Sequence, residues 1–144
     1  MGLIAELLGK RSPVVHIVSP EQTVLDAVAL MAARRVGAVP VVEKGRLVGI
    51  FSERDLVRRV VAPGRSVEKT RIAEVMTANP VTAAPADERA LAVRKMDSVG
   101  CRHLPIVQHG AVVDMLSIRD LLFVELEERA EAVESLRRYI GGSY

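Results

Sequence analysis

The 144-residue chain has no tryptophan, one cysteine and only 3% aromatic residues. Each shortage excludes something. A lone Cys101 cannot build an intrachain disulfide framework or a multi-cysteine zinc site, and this usage points to a cytoplasmic setting. So few aromatic faces argue against a base-stacking platform for single-stranded nucleic acid. No apolar run approaches the roughly 18 residues of a membrane-spanning helix, so no membrane partner is expected. The N-terminal apolar residues Leu3, Ile4, Leu7 and Leu8 are interrupted by Glu6 and precede Lys10 and Arg11, the reverse of the order in a signal peptide. Their spacing predicts a short amphipathic helix docked on the domain. The histidines His16, His103 and His109 show no metal-ligand spacing, and there is no P-loop and no Gly-x-Gly-x-x-Gly. The expectation is therefore no catalytic residue, no metal and no required cofactor.

Aliphatic residues are what the chain has in quantity. With 49% hydrophobic and 26% charged residues, Val, Ala, Leu and Ile can fill the core of one compact domain or of two small ones that share it. The net charge of +2 hides an uneven split. Residues 1–71 carry 12 basic and 7 acidic groups, a balance of +5; residues 72–144 carry 8 and 11, a balance of −3. A solvated basic face and an electropositive region that attracts a phosphate-bearing ligand are both open readings. A nucleic-acid partner has no motif to support it.

The chain repeats itself at a spacing of 65 residues. Pro20, Ala27, Val28, Met31, Pro40, Val42, Gly45, Val48, Ser52, Arg54, Asp55 and Leu56 recur, without a gap, as Pro85, Ala92, Val93, Met96, Pro105, Val107, Gly110, Val113, Ser117, Arg119, Asp120 and Leu121. Each copy reads β-α-β-β-α. In the first, Val14–Val18 reads as a strand, and Thr23–Arg35 as a helix opened by a Thr23/Asp26 capping box. Ala38–Val42 and Leu47–Phe51 form a hairpin across Glu43-Lys44-Gly45, where Gly45 can take positive φ. Ser52 caps a final helix to about Val60. The second copy gives Val81–Ala83, Asp87–Ser98, His103–Val107, Val112–Leu116 and a helix from Ser117. A linker is expected over 62–74, and the copies divide as 1–70, with the N-terminal helix, and 71–144. In the last helix Leu122, Leu126, Ala130, Val133, Leu136 and Ile140 continue at spacings of three and four, ended by Gly141-Gly142. That apolar face fits either packing on the chain's own N-terminal helix or a subunit interface.

The stretches Val36-Gly37-Ala38-Val39-Pro40-Val41-Val42, Gly45–Leu56, Arg102–Val107 and Ser117-Ile118-Arg119-Asp120-Leu121 resemble CBS domains, and two tandem copies are similar to a Bateman module. The resemblance covers about residues 10–128. It implies an α+β fold of two repeats packed through their sheets with pseudo-twofold symmetry, plus terminal helices. It also implies clefts between the repeats that bind an adenosine-containing ligand such as AMP, ADP, ATP or S-adenosylmethionine. Such pairs are regulatory modules that report occupancy to an effector protein, and stand-alone pairs commonly form homodimers. The alternative is an interaction or dimerisation module with vestigial pockets.

The candidate site residues follow from the doubled Ser-x-Arg-Asp. A helix starting at Ser52 or Ser117 offers unpaired N–H groups and a positive dipole end. The resemblance assigns ribose binding to Asp55 and Asp120, with Ser52 and Ser117 beside them. Ser-x-x-Asp is equally a near capping box, and the two roles are compatible. Arg54 and Arg119 oppose the helix dipole, which suggests phosphate pairing or a salt bridge to a nearby acid. Arg102 and His103 replace Gly37-Ala38 and are phosphate-contact candidates by resemblance. Ile17, Val39, Pro40, Thr82, Leu104, Pro105 and Ile106 are candidates for an adenine slot, with core packing the competing role of the apolar ones. Asp114 stands where the first copy has Gly49, so the two clefts need not take the same ligand.

Overall fold

The computed structural model describes residues 2–10 and 14–141; Arg11 and Gly142, both used above, lie outside them. The elements are α1 (Ile4–Leu8), α2 (Val24–Arg34), β1 (Ala38–Glu43), β2 (Arg46–Ser52), α3 (Glu53–Asp55), α4 (Ile72–Val75), β3 (Thr77–Ala78), α5 (Arg89–Val99), β4 (His103–Gln108), β5 (Ala111–Ser117) and α6 (Ile118–Gly141). This is the expected α+β arrangement. After α3 the chain continues through π-helical turns over Leu56–Val61 rather than as a regular helix.

Both hairpins are built alike. Lys44 (φ 50°) and Gly45 (φ 78°) make the first turn, and His109 (φ 53°) and Gly110 (φ 79°) the second. Positive φ at both central residues matches the twist of the flanking strands. Register shifts fall between Val41 and Val42 and between Ile106 and Val107, positions 65 apart. The first sheet has the order β1-β2-β3, the second β4-β5, and β5 packs against β1 and β2. Gly49 is needed where β3 crosses β2: a Cβ there would lie 2.6 Å from Met76 Sδ and 2.9 Å from the Thr77 carbonyl oxygen.

Two expected strands shrink to single bridges. Of Val14–Val18 only Val18 pairs, with Val41, and of Val81–Ala83 only Ala83, with Ile106. The capping box at Thr23 is present, with Asp26 N–H donating to Thr23 Oγ1 at 3.2 Å and Thr23 N–H to Asp26 Oδ2 at 3.0 Å.

The short helices cross over between the repeats. Ile4 and Leu7 of α1 pack in the second repeat's core with Ala92, Met96, Leu104 and Leu121. Ile72 and Val75 of α4 pack in the first repeat's core with Val24, Val39 and Phe51. The hydrogen bonds are equivalent too. Ile4 and Ala5 N–H donate to the carbonyls of Asp87 and Pro85, while Ile72 and Ala73 N–H donate to those of Gln22 and Pro20. The segment expected to be a linker is therefore fastened to the first repeat, with Val24 N–H also donating to Thr70 O at 2.9 Å. Arg89, 1% exposed, locks α1 down: it donates to Leu3 O at 3.2 Å, approaches Glu6 at 3.5 Å and pairs with Glu128 of α6. Leu121 and Val124 of α6 are buried beside α1, whereas Leu122, Leu126, Val133 and Leu136 face outward. The Ile140 side chain lies outside the described residues.

Candidate functional site

Each repeat delivers a Ser-capped helix start at the end of a hairpin strand. Ser52 Oγ accepts from Asp55 N–H at 3.2 Å, and Asp55 Oδ2 accepts from Ser52 N–H at 3.0 Å and from Ser52 Oγ at 3.1 Å. In the second copy Ser117 Oγ accepts from Asp120 N–H at 3.0 Å and Asp120 Oδ2 from Ser117 N–H at 2.9 Å. Both serines are thus turned onto their own helix as caps. The helix starts are held to the loop before the opposite strand: Glu53 N–H donates to Gly37 O at 3.0 Å and Ile118 N–H to Arg102 O at 2.8 Å.

Two clefts open between the repeats, of about 440 and 620 Å³, within the roughly 300–1,000 Å³ usual for small-molecule sites. Cleft one is lined by Val14–His16, Arg35–Pro40, Asp114, Met115, Ser117, Arg119 and Asp120. Cleft two is lined by Ile50, Ser52–Asp55, Val57, Arg58, Thr77, Asn79–Val81 and Val99–Arg102. Shifting Val14–His16, Arg35–Gly37, Met115, Ser117, Arg119 and Asp120 by 65 lands on residues of cleft two. Each cleft therefore takes its helix start from one repeat and its facing loop from the other. Gly37 and His103 line both.

The expected site residues divide as follows. Asp55, Ser52, Arg54 and Arg102 line cleft two; Asp120, Ser117, Arg119, Val39 and Pro40 line cleft one; His103 lines both. Leu104 and Ile106 are fully buried in the second repeat's core. Pro105 is buried in β4, Ile17 is half exposed, and Thr82 accepts from Lys95 Nζ through its carbonyl; none of these five lines a cleft. Beside Val39 and Pro40, the apolar walls include Val14, Val15 and Val81, which lie in the β-branched runs but were not adenine-slot candidates. Thr77 was also missed; its hydroxyl donates to Asp55 Oδ1 at 3.1 Å. Arg54 does not seek an acid. Its guanidinium donates to Gly100 O at 2.6 Å, at the C-terminus of α5, where a cation suits the dipole.

Asp55 is 7% exposed, with Arg59 Nε 3.7 Å from Oδ1. Asp114 is also buried, and Met115 N–H donates to it at 2.7 Å. Burial pushes the Cys101 thiol above its ordinary range, the opposite of nucleophile activation. Burial likewise pushes His103 below the ordinary histidine value of 6.5, while Glu53 and Asp120 pull it up and Arg102 pushes it down. The unfolded chain then binds a proton at His103 more readily than the folded one, so this stability is present above about pH 6.5 and is lost as pH falls through the folded value. Melting curves from pH 7 to 5 should show a smaller acid-induced loss for His103→Gln than for the parent; an equal loss would contradict the assignment.

The CBS domain family matches this chain twice, over residues 5–62 and 72–127. The chain belongs to the CBS domain family. It is 33% identical over 129 residues to the mitochondrial CBS domain-containing protein CBSX3 of Arabidopsis thaliana, covering 86% of this chain and 63% of that relative. It is 38% identical over 107 residues to the CBS domain-containing protein YhcV of Bacillus subtilis, covering 74% and 76%. Several longer Arabidopsis CBS proteins are matched over only 21% of their length. Among solved structures, the CBS domain protein PAE2072 of Pyrobaculum aerophilum, complexed with AMP, is similar with a TM-score of 0.77 and 30% identity over 90% of this chain and 98% of that one. Among the described residues no helix is long and apolar enough to cross a membrane, and no three His, Cys, Asp or Glu side chains are grouped to hold a metal ion.

Proposed function

We propose that the chain is a regulatory CBS pair, not an enzyme, that binds adenosine-bearing ligands in its two inter-repeat clefts and passes occupancy to an effector protein. The observation that carries this reading is the duplicated cleft. In each, a carboxylate one turn into a helix faces a loop from the other repeat, so a ligand there touches both halves and biases how they sit. The AMP complex of PAE2072 supports the ligand class. AMP, ADP, ATP and S-adenosylmethionine are the candidates. Asp55 and Asp120 hold the ribose, and Arg54, Arg102, His103 and Arg119 stand at the phosphate end. The division at residue 70 is a boundary between sequence repeats, since α1 and α4 cross it in packing. A cytoplasmic location accords with the single cysteine.

Calorimetry with the four ligands tests the proposal. Saturable binding of at least one, with a ligand-dependent rise in melting temperature, is expected, because a ligand that binds only the native state stabilises it by mass action. No heat and no shift with any of them would sink it. The outward apolar residues of α6, Leu122, Leu126, Val133 and Leu136, favour a second reading in which the chain works chiefly through a homodimer or partner face. Partner capture that is indifferent to nucleotide would decide for it.

A further inference from the structure

Among the described residues His103 is the one titratable side chain that lines both clefts. Its counterpart in the first repeat is Ala38, so a twofold-related ring is missing and this imidazole serves the pseudo-symmetric pair alone. Gly37 makes the space: a Cβ there would stand 3.2 Å from His103 Cε1, 3.3 Å from Nε2 and 3.4 Å from Glu53 Oε1. The charged groups acting on the ring come from different elements. They are Glu53 of α3, a cleft-two residue, Asp120 of α6, a cleft-one residue, and Arg102 from the loop before β4. One acid of each cleft thus acts on the ring.

We infer that His103 couples the two clefts, so that phosphate-bearing ligands compete for one imidazole and the first to bind weakens the second. This deepens the proposed function and rests on it. A protonated ring has two N–H donors but a single positive charge, which two phosphates would have to share. The second phosphate arrives at a site already holding an anion, with the shared cation engaged. Coupling of this kind is reciprocal, and about tenfold is within its usual range. A ligand without phosphate makes no claim on the ring and should fill the clefts independently. Burial favours the neutral ring, so a phosphate must draw a proton onto it, which adds to the difference between the first and second event.

The test follows the amide signals of Ser52 and Ser117, one in each cleft, in the isotopically labelled full chain during titration with AMP and with adenosine. With AMP, both amides should respond in two phases separated by about tenfold or more. With adenosine, each should follow a single hyperbola. In His103→Gln the AMP phases should merge to within about threefold. Gly37→Ala keeps the histidine but sets a methyl carbon 3.2 Å from its Cε1, so the ring must shift by a few tenths of an ångström; it should narrow them as well and covers the case of a poorly folded glutamine variant. Independent single hyperbolas with AMP in the parent, or a phase separation that survives both substitutions, would overturn the coupling while leaving the nucleotide-binding proposal standing. Silence of both amides to AMP and adenosine alike would overturn that proposal itself, and the coupling with it.

Discussion

Replacement of Arg89 by methionine should lower stability by about 2–3 kcal/mol, a fall in melting temperature of roughly 7–10 °C for a chain of this size. Arg89 is buried, yet it joins three elements: its guanidinium reaches the Leu3 carbonyl and Glu6 of the N-terminal segment and Glu128 of α6. Methionine fills similar volume, so the loss measures the ion pairs and hydrogen bonds rather than a cavity. Removing one partner of a buried pair costs ~3–5 kcal/mol when the other is left dry. Glu6 and Glu128 are 56% and 36% exposed, so water can take them up and the lower end is appropriate. Arg65→Met is the control. Its partner Glu74 is only 2.7 Å away, but the two side chains are 38% and 47% exposed, and such surface pairs contribute under about 1 kcal/mol. Hydrogen exchange should also quicken at the Ile4 and Ala5 amides in the Arg89 variant, because α1 loses its clamp. Equal shifts for Arg65→Met and Arg89→Met would show that Arg89 is not the fastener.

Arg89 also shows what the sequence holds and what local pattern reading passes over. Shifted by 65 it falls on Val24, a fully buried core position of the first repeat. A charge aligned with a core valine marks a buried arginine, and only the repeat alignment carries that signal. The hairpins, the Thr23 capping box and both Ser-x-x-Asp helix starts were legible because each rests on contacts within a few residues. The crossover of α1 and α4 was not. Spacing at Leu3, Ile4, Leu7 and Leu8 predicts an apolar face but says nothing of which core receives it. The β-branched run Val14–Val18 reads as a strand by propensity, yet tertiary context leaves it as a cleft wall with one bridging residue. Propensity likewise cannot tell a slot-lining aliphatic from a core one, which is why Leu104 and Ile106 of β4 are in the core and Val81 is in the cleft.

The doubled Ser-x-x-Asp admits a cap and a ligand site at once, and two pairs of variants separate them. Asp55→Asn with Asp120→Asn should weaken AMP by about 10–100-fold at each cleft. A carboxylate accepting from ribose hydroxyls contributes ~1.5–3 kcal/mol, and the isosteric amide gives up both the charge and one acceptor. Ser52→Ala with Ser117→Ala should lower stability by about 1 kcal/mol per helix through loss of the cap, while changing AMP affinity by less than about threefold. The geometry gives the reason: each hydroxyl already accepts from the Asp55 or Asp120 amide, at 3.2 and 3.0 Å, and is turned inward onto its own helix. Asp55 also accepts from Thr77, so its replacement releases a second partner and carries a stability cost of its own. Affinity must therefore be measured at a temperature where each variant is fully folded. Equal losses of AMP affinity in the serine and aspartate pairs would mean that ligand binding depends on the ordered helix start as a whole. A loss confined to the aspartates would place the recognition on the carboxylates themselves.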